Sequence, residues 1–212
     1  MLYSIARIFV SILVRPLLRL RVFGAEKIPP TGALIFAPNH VSYLDIPVLG
    51  VAQKRHLHFI GKSSLFRSRL SGWLYRSLGG IPLQNNHSPG GGLKEAVRRL
   101  KDGACVVLYP EGRRSLTGDL QKPQPGLGML SALSGAPVIP VFIDGTEKVL
   151  PVGKALPRLH RVSVYIGEPI VFKEENGKEG RDARYRKISG EVMEKITALR
   201  DSALGKKPGI SA

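Results

Sequence analysis

The chain contains one cysteine and few acidic residues, and each shortage excludes a class of protein. Cys105 has no second cysteine to pair with, so an internal disulfide is impossible, which suits a reducing compartment. The apolar residues around it favour a small buried side chain over a reactive thiol. Only 16 Asp and Glu stand against 32 Lys and Arg, and the net charge is +16. This excess favours an anionic partner: nucleic acid, a phosphorylated substrate or an acidic membrane surface.

Long uncharged apolar runs are also missing, although 43% of the 212 residues are hydrophobic. This composition excludes a disordered chain and a polytopic membrane protein, and the length favours a single domain. The first twenty residues come closest to a membrane span, but Arg7 and Arg15 interrupt them. Their polar residues recur every three or four positions, in one narrow helical stripe: Ser4, Arg7, Ser11, Arg15 and Arg19.

The wide apolar face beside that stripe predicts a helix that lies in a membrane interface. Two alternatives stay open, a signal peptide and a helix packed against its own domain. We therefore expect a membrane-interface helix at residues 1–22, the main domain at residues 23–205 and a loose tail at residues 206–212.

Several familiar functional signatures are absent from the sequence. There is no G-x-S-x-G, no H-E-x-x-H and no Cys or His pair at zinc spacing, so we expect no metal site. Gly61-Lys62-Ser63 resembles the end of a phosphate-binding loop, but that loop needs a glycine where this chain has His56. Aromatic side chains are not interleaved with basic ones, and no RNA-binding signature occurs, so nucleic acid is not the expected partner.

Short apolar runs alternate with helical patterns through the rest of the chain. Six runs predict strands: Ala33–Ala37, Leu57–Ile60, Gly80–Leu83, Ala104–Tyr109, Pro137–Ile143 and Arg161–Ile166. Apolar residues at helical spacing lie before the Cys105 strand and near the C-terminus. The alternation predicts an α/β fold whose largely parallel central sheet is flanked by helices, with reactive side chains after the carboxyl ends of strands.

The first concentrated motif is Asn39-His40-Val41-Ser42-Tyr43-Leu44-Asp45, directly after a predicted strand. Histidine can take a proton near neutral pH, and a carboxylate on its second nitrogen fixes the tautomer. Residues five apart diverge by about 140° on a helix, so His40 and Asp45 can meet only if His40 precedes the helix. The alternative is a capping box made by Ser42 and Asp45, with His40 a bystander.

The second motif is Tyr109-Pro110-Glu111-Gly112-Arg113-Arg114-Ser115, again directly after a predicted strand. Gly112 permits a sharp turn, and the charged residues around it place donors and an acceptor at one strand end. Such a set can hold a phosphate and a hydroxyl together. The alternative is a solvated polar turn with ordinary ion pairs.

With these motifs in order, the sequence resembles the glycerolipid acyltransferase family, and within it the 1-acyl-sn-glycerol-3-phosphate acyltransferases. Asn39-His40 with Asp45 resembles the family's N-H-x4-D motif, and Tyr109–Ser115 resembles its F-P-E-G-T-R-S block. Three further stretches resemble its K-x-x-L-F, G-x-I-P-V and V-x-P blocks: Lys62–Phe66, Gly79–Leu83 and Val138–Val141. The resemblance covers roughly residues 24–168.

The resemblance implies a role for each matching residue. His40 is the general base and Asp45 the carboxylate that orients it. The implied substrate-binding residues are Asn39, Lys62, Glu111, Gly112, Arg113 and Arg114. Arg113 replaces the usual threonine, and Gln84-Asn85 stands where many relatives carry an acidic residue and an arginine, which puts the identity of the acceptor in doubt.

The reaction implied is transfer of an acyl chain to the sn-2 hydroxyl of lysophosphatidic acid, giving phosphatidic acid. We expect acyl-CoA or acyl-carrier protein as co-substrate, no cofactor, and a peripheral or monotopic position at the cytoplasmic face of the cell membrane. The segment Ile46–Lys94 holds seven basic residues and no acidic one, which favours phosphates or phospholipid headgroups over a merely solvated face. Another acceptor, such as glycerol 3-phosphate or a lyso-aminolipid, and a non-catalytic basic binding protein are the alternatives.

Overall fold

A central sheet of seven strands organises the molecule. The computed structural model describes residues 2–83, 91–151, 153–154, 156–173 and 180–205. Its strands are β1 (Arg21–Phe23), β2 (Leu34–Pro38), β3 (Leu57–Lys62), β4 (Gly80–Leu83), β5 (Cys105–Val107), β6 (Val138–Asp144) and β7 (Ser163–Ile166). The strand order is β1-β7-β6-β2-β5-β3-β4, and every neighbouring pair is parallel except β6 with β7. The prediction of a largely parallel sheet is confirmed.

Helices cover both faces of the sheet, as expected for a parallel sheet whose strands are apolar throughout. They are α1 (Leu2–Leu17), α2 (Asp45–Ala52), α3 (Arg69–Ser77), α4 (Gly91–Lys101), α5 (Gly126–Ser134), α6 (Thr146–Val149) and α7 (Arg181–Ala203). Strand β2 is buried along its whole length. Its Leu34 and Phe36 join the core under α2, whereas Ile35 and Ala37 join the core under α4, α5 and α7.

Six of the seven strands begin and end within two residues of the apolar runs that predict them. Strand β5 ends at Val107 rather than Tyr109, because the chain turns there into the second motif. Strand β1 was not predicted: its three residues lie at the sheet edge beside β7 and carry a weak apolar signal. The tail at 206–212 and Gln84-Asn85 lie outside the described residues.

The N-terminal helix is shorter than the predicted 1–22. It ends at Leu17 because Leu18 turns into the core and Arg19 takes a positive φ of 43°. The backbone of Leu18 then accepts a bond from Val162, and Arg21 enters strand β1. This part of the 1–22 assignment is corrected: residues 21–22 belong to the sheet.

Helix α1 packs across α2 on one side, which one of the alternatives anticipated. The Arg15 guanidinium donates to the Val51 carbonyl at 2.8 Å, and the Tyr3 hydroxyl accepts the Leu57 N–H at 3.1 Å. Its other side exposes large apolar side chains to solvent: Ile5, Ile8, Phe9, Ile12, Leu13 and Leu17. No helix in the described ranges has the length and apolar content needed to span a bilayer.

Candidate active site

The two motifs meet at the carboxyl edge of the parallel strands. Strand β2 ends at Pro38 and delivers the first motif, and its neighbour β5 ends at Val107 and delivers the second. The loops are joined directly, since the Ser115 N–H donates to the His40 carbonyl at 2.8 Å. Adjacent parallel strands therefore bring together residues about seventy positions apart, as the sequence reasoning required.

His40 lies in the loop before α2, and its side chain reaches Asp45 in the first turn. The His40 Nδ1 is 2.8 Å from Asp45 Oδ2, with the imidazole 19% exposed and the carboxylate fully buried. Because Nδ1 faces a carboxylate, the proton belongs on Nδ1, and the lone pair of the neutral ring is on Nε2. The arrangement is that of a base with a fixed tautomer.

The Asp45 carboxylate is held by four donors. Its Oδ2 accepts the backbone N–H groups of Val41 and Ser42, each at 2.9 Å, besides facing His40. Its Oδ1 accepts the hydroxyl of Thr146 at 2.6 Å. The bond from the Ser42 N–H matches one half of the predicted capping box, but α2 begins at Asp45 itself, with Leu44 as its N-cap and no side-chain cap. Asp45 therefore orients His40 and ties down the loop before the helix. These bonds compensate the burial of a charge that would otherwise be costly.

The Tyr109 ring supports the face of His40. The two rings stack with centroids 3.8 Å apart and an angle of 19° between their planes. The Tyr109 hydroxyl is buried and has no hydrogen-bond partner among the described residues. Burial, with a smaller contribution from the Asp45 charge, raises the pKa of Tyr109 well above its ordinary value, so the phenol stays neutral and the ring acts as an apolar platform.

Glu111 braces the two motif loops. Its Oε1 accepts the His40 N–H at 2.9 Å and its Oε2 accepts the Gln121 N–H at 3.0 Å. The side chain is 2% exposed, and burial raises the pKa of Glu111 although both backbone bonds oppose that shift. Both oxygens accept bonds inside the protein, so Glu111 links the two loops, and its contact with substrate stays a prediction.

Asn39 also holds the backbone rather than facing solvent. Its side-chain amide donates to the Ile143 carbonyl at 3.0 Å and accepts the Ile143 N–H at 2.7 Å. With 1% exposure and both polar groups engaged, Asn39 ties the first motif to strand β6. The structure therefore shows a positioning role for Asn39, and its contact with substrate stays a prediction.

Gly112 makes the turn that the second motif predicts. Its φ of +69° is strained for any residue with a Cβ, and a Cβ there would come within 3.1 Å of Gln124. The Gly112 N–H closes the turn onto the Tyr109 carbonyl at 3.1 Å. Two consecutive arginines follow the turn, Arg113 exposed and Arg114 half-buried.

Arg113, Arg114 and Lys62 supply positive charge at this edge. The Arg114 guanidinium lies over the Tyr43 ring at 3.9 Å, and its buried Nε has no partner among the described residues. Arg113 is exposed and donates from Nε to the Gln121 side chain at 2.8 Å. Lys62 is the last residue of strand β3. Because Phe59 pairs with Val107, Lys62, three residues further on, lies beside position 110 in the second motif.

Within the described ranges none of these three cations forms an ion pair with a carboxylate. The edge thus combines an oriented imidazole with guanidinium and ammonium groups that are available to an anion. Chemically it can take a proton from a hydroxyl while holding a phosphate nearby. The described residues include no group of three or more His, Cys, Asp or Glu that could hold a metal ion.

Sequence reasoning missed several residues that shape this site. Thr146 lies 101 positions from Asp45, at the start of α6 after strand β6, and nothing in its local sequence marks it. Tyr109 was noted only as part of its motif, where the family pattern has phenylalanine. Tyr43 was noted only as a spacer, although its ring carries the Arg114 guanidinium.

The chain is similar to known acyltransferases. A family model described as Acyltransferase matches residues 19–144. The chain is 32% identical over 172 residues to the chloroplastic 1-acyl-sn-glycerol-3-phosphate acyltransferase LPAT1 of Arabidopsis thaliana, covering 79% of this chain and 48% of that protein. It is 28% identical over 128 residues to a lyso-ornithine lipid O-acyltransferase of Pseudomonas aeruginosa, covering 59% of this chain and 48% of that one.

Among solved structures, the fold matches the 1-acyl-sn-glycerophosphate acyltransferase PlsC of Thermotoga maritima with a TM-score of 0.73. That match has 26% sequence identity and covers 97% of this chain and 84% of the other. The chain spans about half the length of the two curated relatives described above. The family resemblance predicted from the motifs is confirmed by these matches.

Proposed function

The chain belongs to the acyltransferase family, and from that premise we propose that it transfers an acyl chain to the sn-2 hydroxyl of 1-acyl-sn-glycerol 3-phosphate, forming phosphatidic acid. The observation that carries the proposal is the His40 Nδ1 to Asp45 Oδ2 contact of 2.8 Å at the carboxyl edge of the sheet. Support also comes from the similarity to acyltransferases that act on this acceptor.

The geometry suits general base catalysis without a covalent intermediate. His40 Nε2 removes the proton of the acceptor hydroxyl while the oxygen attacks the thioester carbonyl of the donor. Asp45 stabilises the imidazolium that forms, and the tetrahedral intermediate collapses as His40 returns the proton to the leaving thiolate. General base catalysis of this kind contributes about 10²- to 10⁴-fold, so positioning of the two substrates supplies much of the remaining acceleration.

The cations of the same edge suit the phosphate of the acceptor. Arg114 presents a planar guanidinium held against Tyr43, and Arg113 and Lys62 add exposed positive charge. A guanidinium can bind phosphate with two parallel N–H bonds, whereas an ammonium acts as a point charge. In this proposal Glu111 and Asn39 keep the loops in place.

The donor is acyl-CoA or acyl-carrier protein, each of which presents a thioester. The proposed reaction needs no further cofactor, because the proton moves from the acceptor hydroxyl to the leaving thiolate through His40 alone. Both donors carry phosphate, which fits the net charge of +16.

A second acceptor class has specific support from the relative that acts on lyso-ornithine lipid. The departure at Gln84-Asn85 from the family pattern points the same way, although those two residues lie outside the described part of the chain. In this second proposal the same base acts on the hydroxyl of a lyso-aminolipid. A panel of lysolipid acceptors, with product identified by mass, separates the two.

The enzyme is proposed to work from a membrane surface as a peripheral or monotopic protein, at the cytoplasmic face. Helix α1 packs on α2 by one side and turns its apolar side to solvent, an arrangement that suits insertion into the lipid interface. Ile8→Glu with Ile12→Glu changes only exposed positions, so the protein is expected to fold and to move from the membrane fraction to the soluble fraction. An unchanged distribution would contradict this role of α1.

The test of the catalytic proposal is His40→Ala, which should abolish transfer from palmitoyl-CoA to lysophosphatidic acid while far-ultraviolet circular dichroism stays native. His56→Ala is a matched control, since His56 lies before strand β3 at the opposite edge of the sheet; it should retain turnover. Substantial turnover by folded His40→Ala would refute the assignment of the base.

A further inference from the structure

Helix α3 exposes a second apolar surface that the proposed reaction does not explain. Leu70, Trp73 and Leu74 lie at i, i+3 and i+4 on one face and are 75%, 58% and 42% exposed. Leu65, just before the helix, is also exposed. Among the described residues, no other element covers this group, which we call the α3 patch: Leu65, Leu70, Trp73 and Leu74.

The α3 patch is held outward by tight packing on the other side of the helix. Gly72 is buried, and a Cβ there would meet the Phe66 carbonyl oxygen at 2.8 Å. Tyr75 packs against the core with its ring edge towards Phe59, at a centroid distance of 6.5 Å. The helix therefore cannot bury its three exposed apolar residues by rotating, so their exposure is fixed by the fold.

Basic side chains, and no acidic ones, flank this patch along the sequence. Arg67, Arg69 and Arg76 are exposed on or beside α3, and Lys62 is exposed at the preceding strand end. Asp and Glu are absent from Ile46 to Lys94. An apolar centre with a cationic rim complements a bilayer that contains anionic phospholipid, because the rim binds phosphates while the centre enters the acyl boundary.

The placement of α3 points the same way. Tyr75 of α3 and Val14 of α1 pack against the same core cluster, so both helices lie on one face of the sheet. Helix α3 starts after the carboxyl end of β3, the edge that carries His40. Helix α1 ends at the same edge. The carbonyl of Leu18, just after α1, accepts the Val162 N–H, and the next residue, Ser163, pairs with Asp144 at the carboxyl end of β6.

We propose that the α3 patch is a second membrane contact, which inserts Leu70, Trp73 and Leu74 into the interface of an anionic phospholipid bilayer. Together with α1 it fixes the rotation of the domain on the surface, so that the edge carrying His40 meets lipid. The inference rests on the proposed function for its purpose, delivery of a lipid acceptor, but the contact itself requires no turnover.

Trp73 is the single tryptophan of the chain, so its fluorescence reports on the α3 patch without a label. Phosphatidylcholine vesicles with one third phosphatidylglycerol should shift its emission to shorter wavelength and protect it from acrylamide. Brominated lipids in the same vesicles should quench it, because an interfacial indole lies within reach of the upper acyl chain. Unshifted emission from protein that sediments with the vesicles would overturn the proposal, and so would absence of binding.

Substitutions test the leucines against a matched control on the other face of the sheet. Leu70→Glu with Leu74→Glu should weaken vesicle binding at least tenfold. Leu133→Glu changes a comparably exposed leucine of α5, which packs on the opposite core cluster, and should alter binding less than twofold. Equal effects of the two variants would refute the proposal that the α3 patch contacts the bilayer. A shift in Trp73 emission with protein concentration in the absence of lipid would also refute it, because it would show that a second copy of the chain covers the patch.

Turnover measurements separate this inference from the proposed function. The Leu70→Glu, Leu74→Glu variant should keep native turnover of a short-chain, water-soluble lysophosphatidic acid and lose turnover of the long-chain lipid in vesicles. If neither the native protein nor the variant turns over any lysolipid, the proposed function fails, and the fluorescence and sedimentation results still decide whether α3 contacts lipid.

Discussion

Replacing Thr146 by valine removes the hydroxyl that donates to Asp45 Oδ1 while preserving the shape of the side chain. The Oγ1 to Oδ1 distance is 2.6 Å and both residues are fully buried. This distance lies in the short range of charge-assisted O–H···O⁻ bonds. The variant leaves one oxygen of a buried carboxylate without its hydroxyl donor, so the consequence should reach both stability and the orientation of His40.

The size of the effect follows from that bond. A buried hydrogen bond to a charged group contributes about 1.5–3 kcal/mol, so we expect Thr146→Val to lower the free energy of unfolding by roughly 2 kcal/mol. With a urea slope of about 2 kcal/mol/M, the midpoint should fall by roughly 1 M. Thr146→Ser keeps the hydroxyl and loses one buried methyl, which costs about 0.8 kcal/mol. If half of the energy lost in Thr146→Val, about 1 kcal/mol, also holds the imidazolium in the transition state, kcat/KM falls about fivefold.

Urea unfolding followed by circular dichroism measures the first effect, and thiol release from acyl-CoA measures the second. Cys105 should not interfere with a thiol reagent, because burial raises the pKa of its thiol to about 11. Thr146→Ser serves as the control that retains the donor. A midpoint and a kcat/KM for Thr146→Val that are no lower than those of Thr146→Ser would refute the reasoning that this hydroxyl holds Asp45.

Four further outcomes are expected. Tyr109→Phe keeps the ring stacked on His40 and removes a buried hydroxyl without a partner, so urea unfolding should show about 1 kcal/mol more stability; a loss would show that the hydroxyl is satisfied. Glu111→Gln turns an amide N–H towards one of the two backbone N–H groups that Glu111 accepts, so the free energy of unfolding should fall by about 2 kcal/mol in urea. An unchanged free energy of unfolding would contradict the bracing role of Glu111. Burial, and to a smaller extent the Arg99 charge, lower the pKa of His58 to about 4. As the pH falls, His58 therefore takes up a proton in the unfolded chain near pH 6.5 but in the folded protein only near pH 4. The free energy of unfolding should consequently decrease between pH 6.5 and pH 4. In His58→Gln this decrease should be smaller by about 1 kcal/mol, a value that allows for the partial exposure of the ring. If the free energy of unfolding depends on pH in the same way in the variant and the native protein, His58 makes no such contribution. Cys105 should react with a thiol reagent only in denaturant, and fast labelling of the folded protein would show that the strand opens.

The His40 and Asp45 pair could be predicted because its geometry is local. The residues are five apart, and a strand before them with a helix after them leaves one arrangement in which they meet. The predicted carboxyl-edge position follows from the general build of parallel sheets. For Asn39 and Glu111 the sequence predicted substrate contacts, whereas their partners, the backbones of Ile143 and of His40 and Gln121, depend on neighbouring strands and loops.

The weakest sequence signals were short or distant. Strand β1 has three residues and no alternation that a pattern could detect, and only its pairing with β7 makes it a strand. The polar stripe of α1 was visible, but which side of the helix faces the domain was not. Contacts such as that of Arg15 with the Val51 carbonyl decide it, and they leave the apolar side outside.

The sequence by itself determined the fold class, the family and the histidine with its carboxylate, because these depend on periodicity, motif order and short spacing. Only the tertiary structure decided that Thr146 holds Asp45, that Glu111 joins two loops, and that α1 and α3 expose apolar surfaces on one face of the sheet. These features arise from strand order and helix packing. Such contacts join residues as far apart as Asp45 and Thr146, 101 positions along the chain, and no local pattern encodes them.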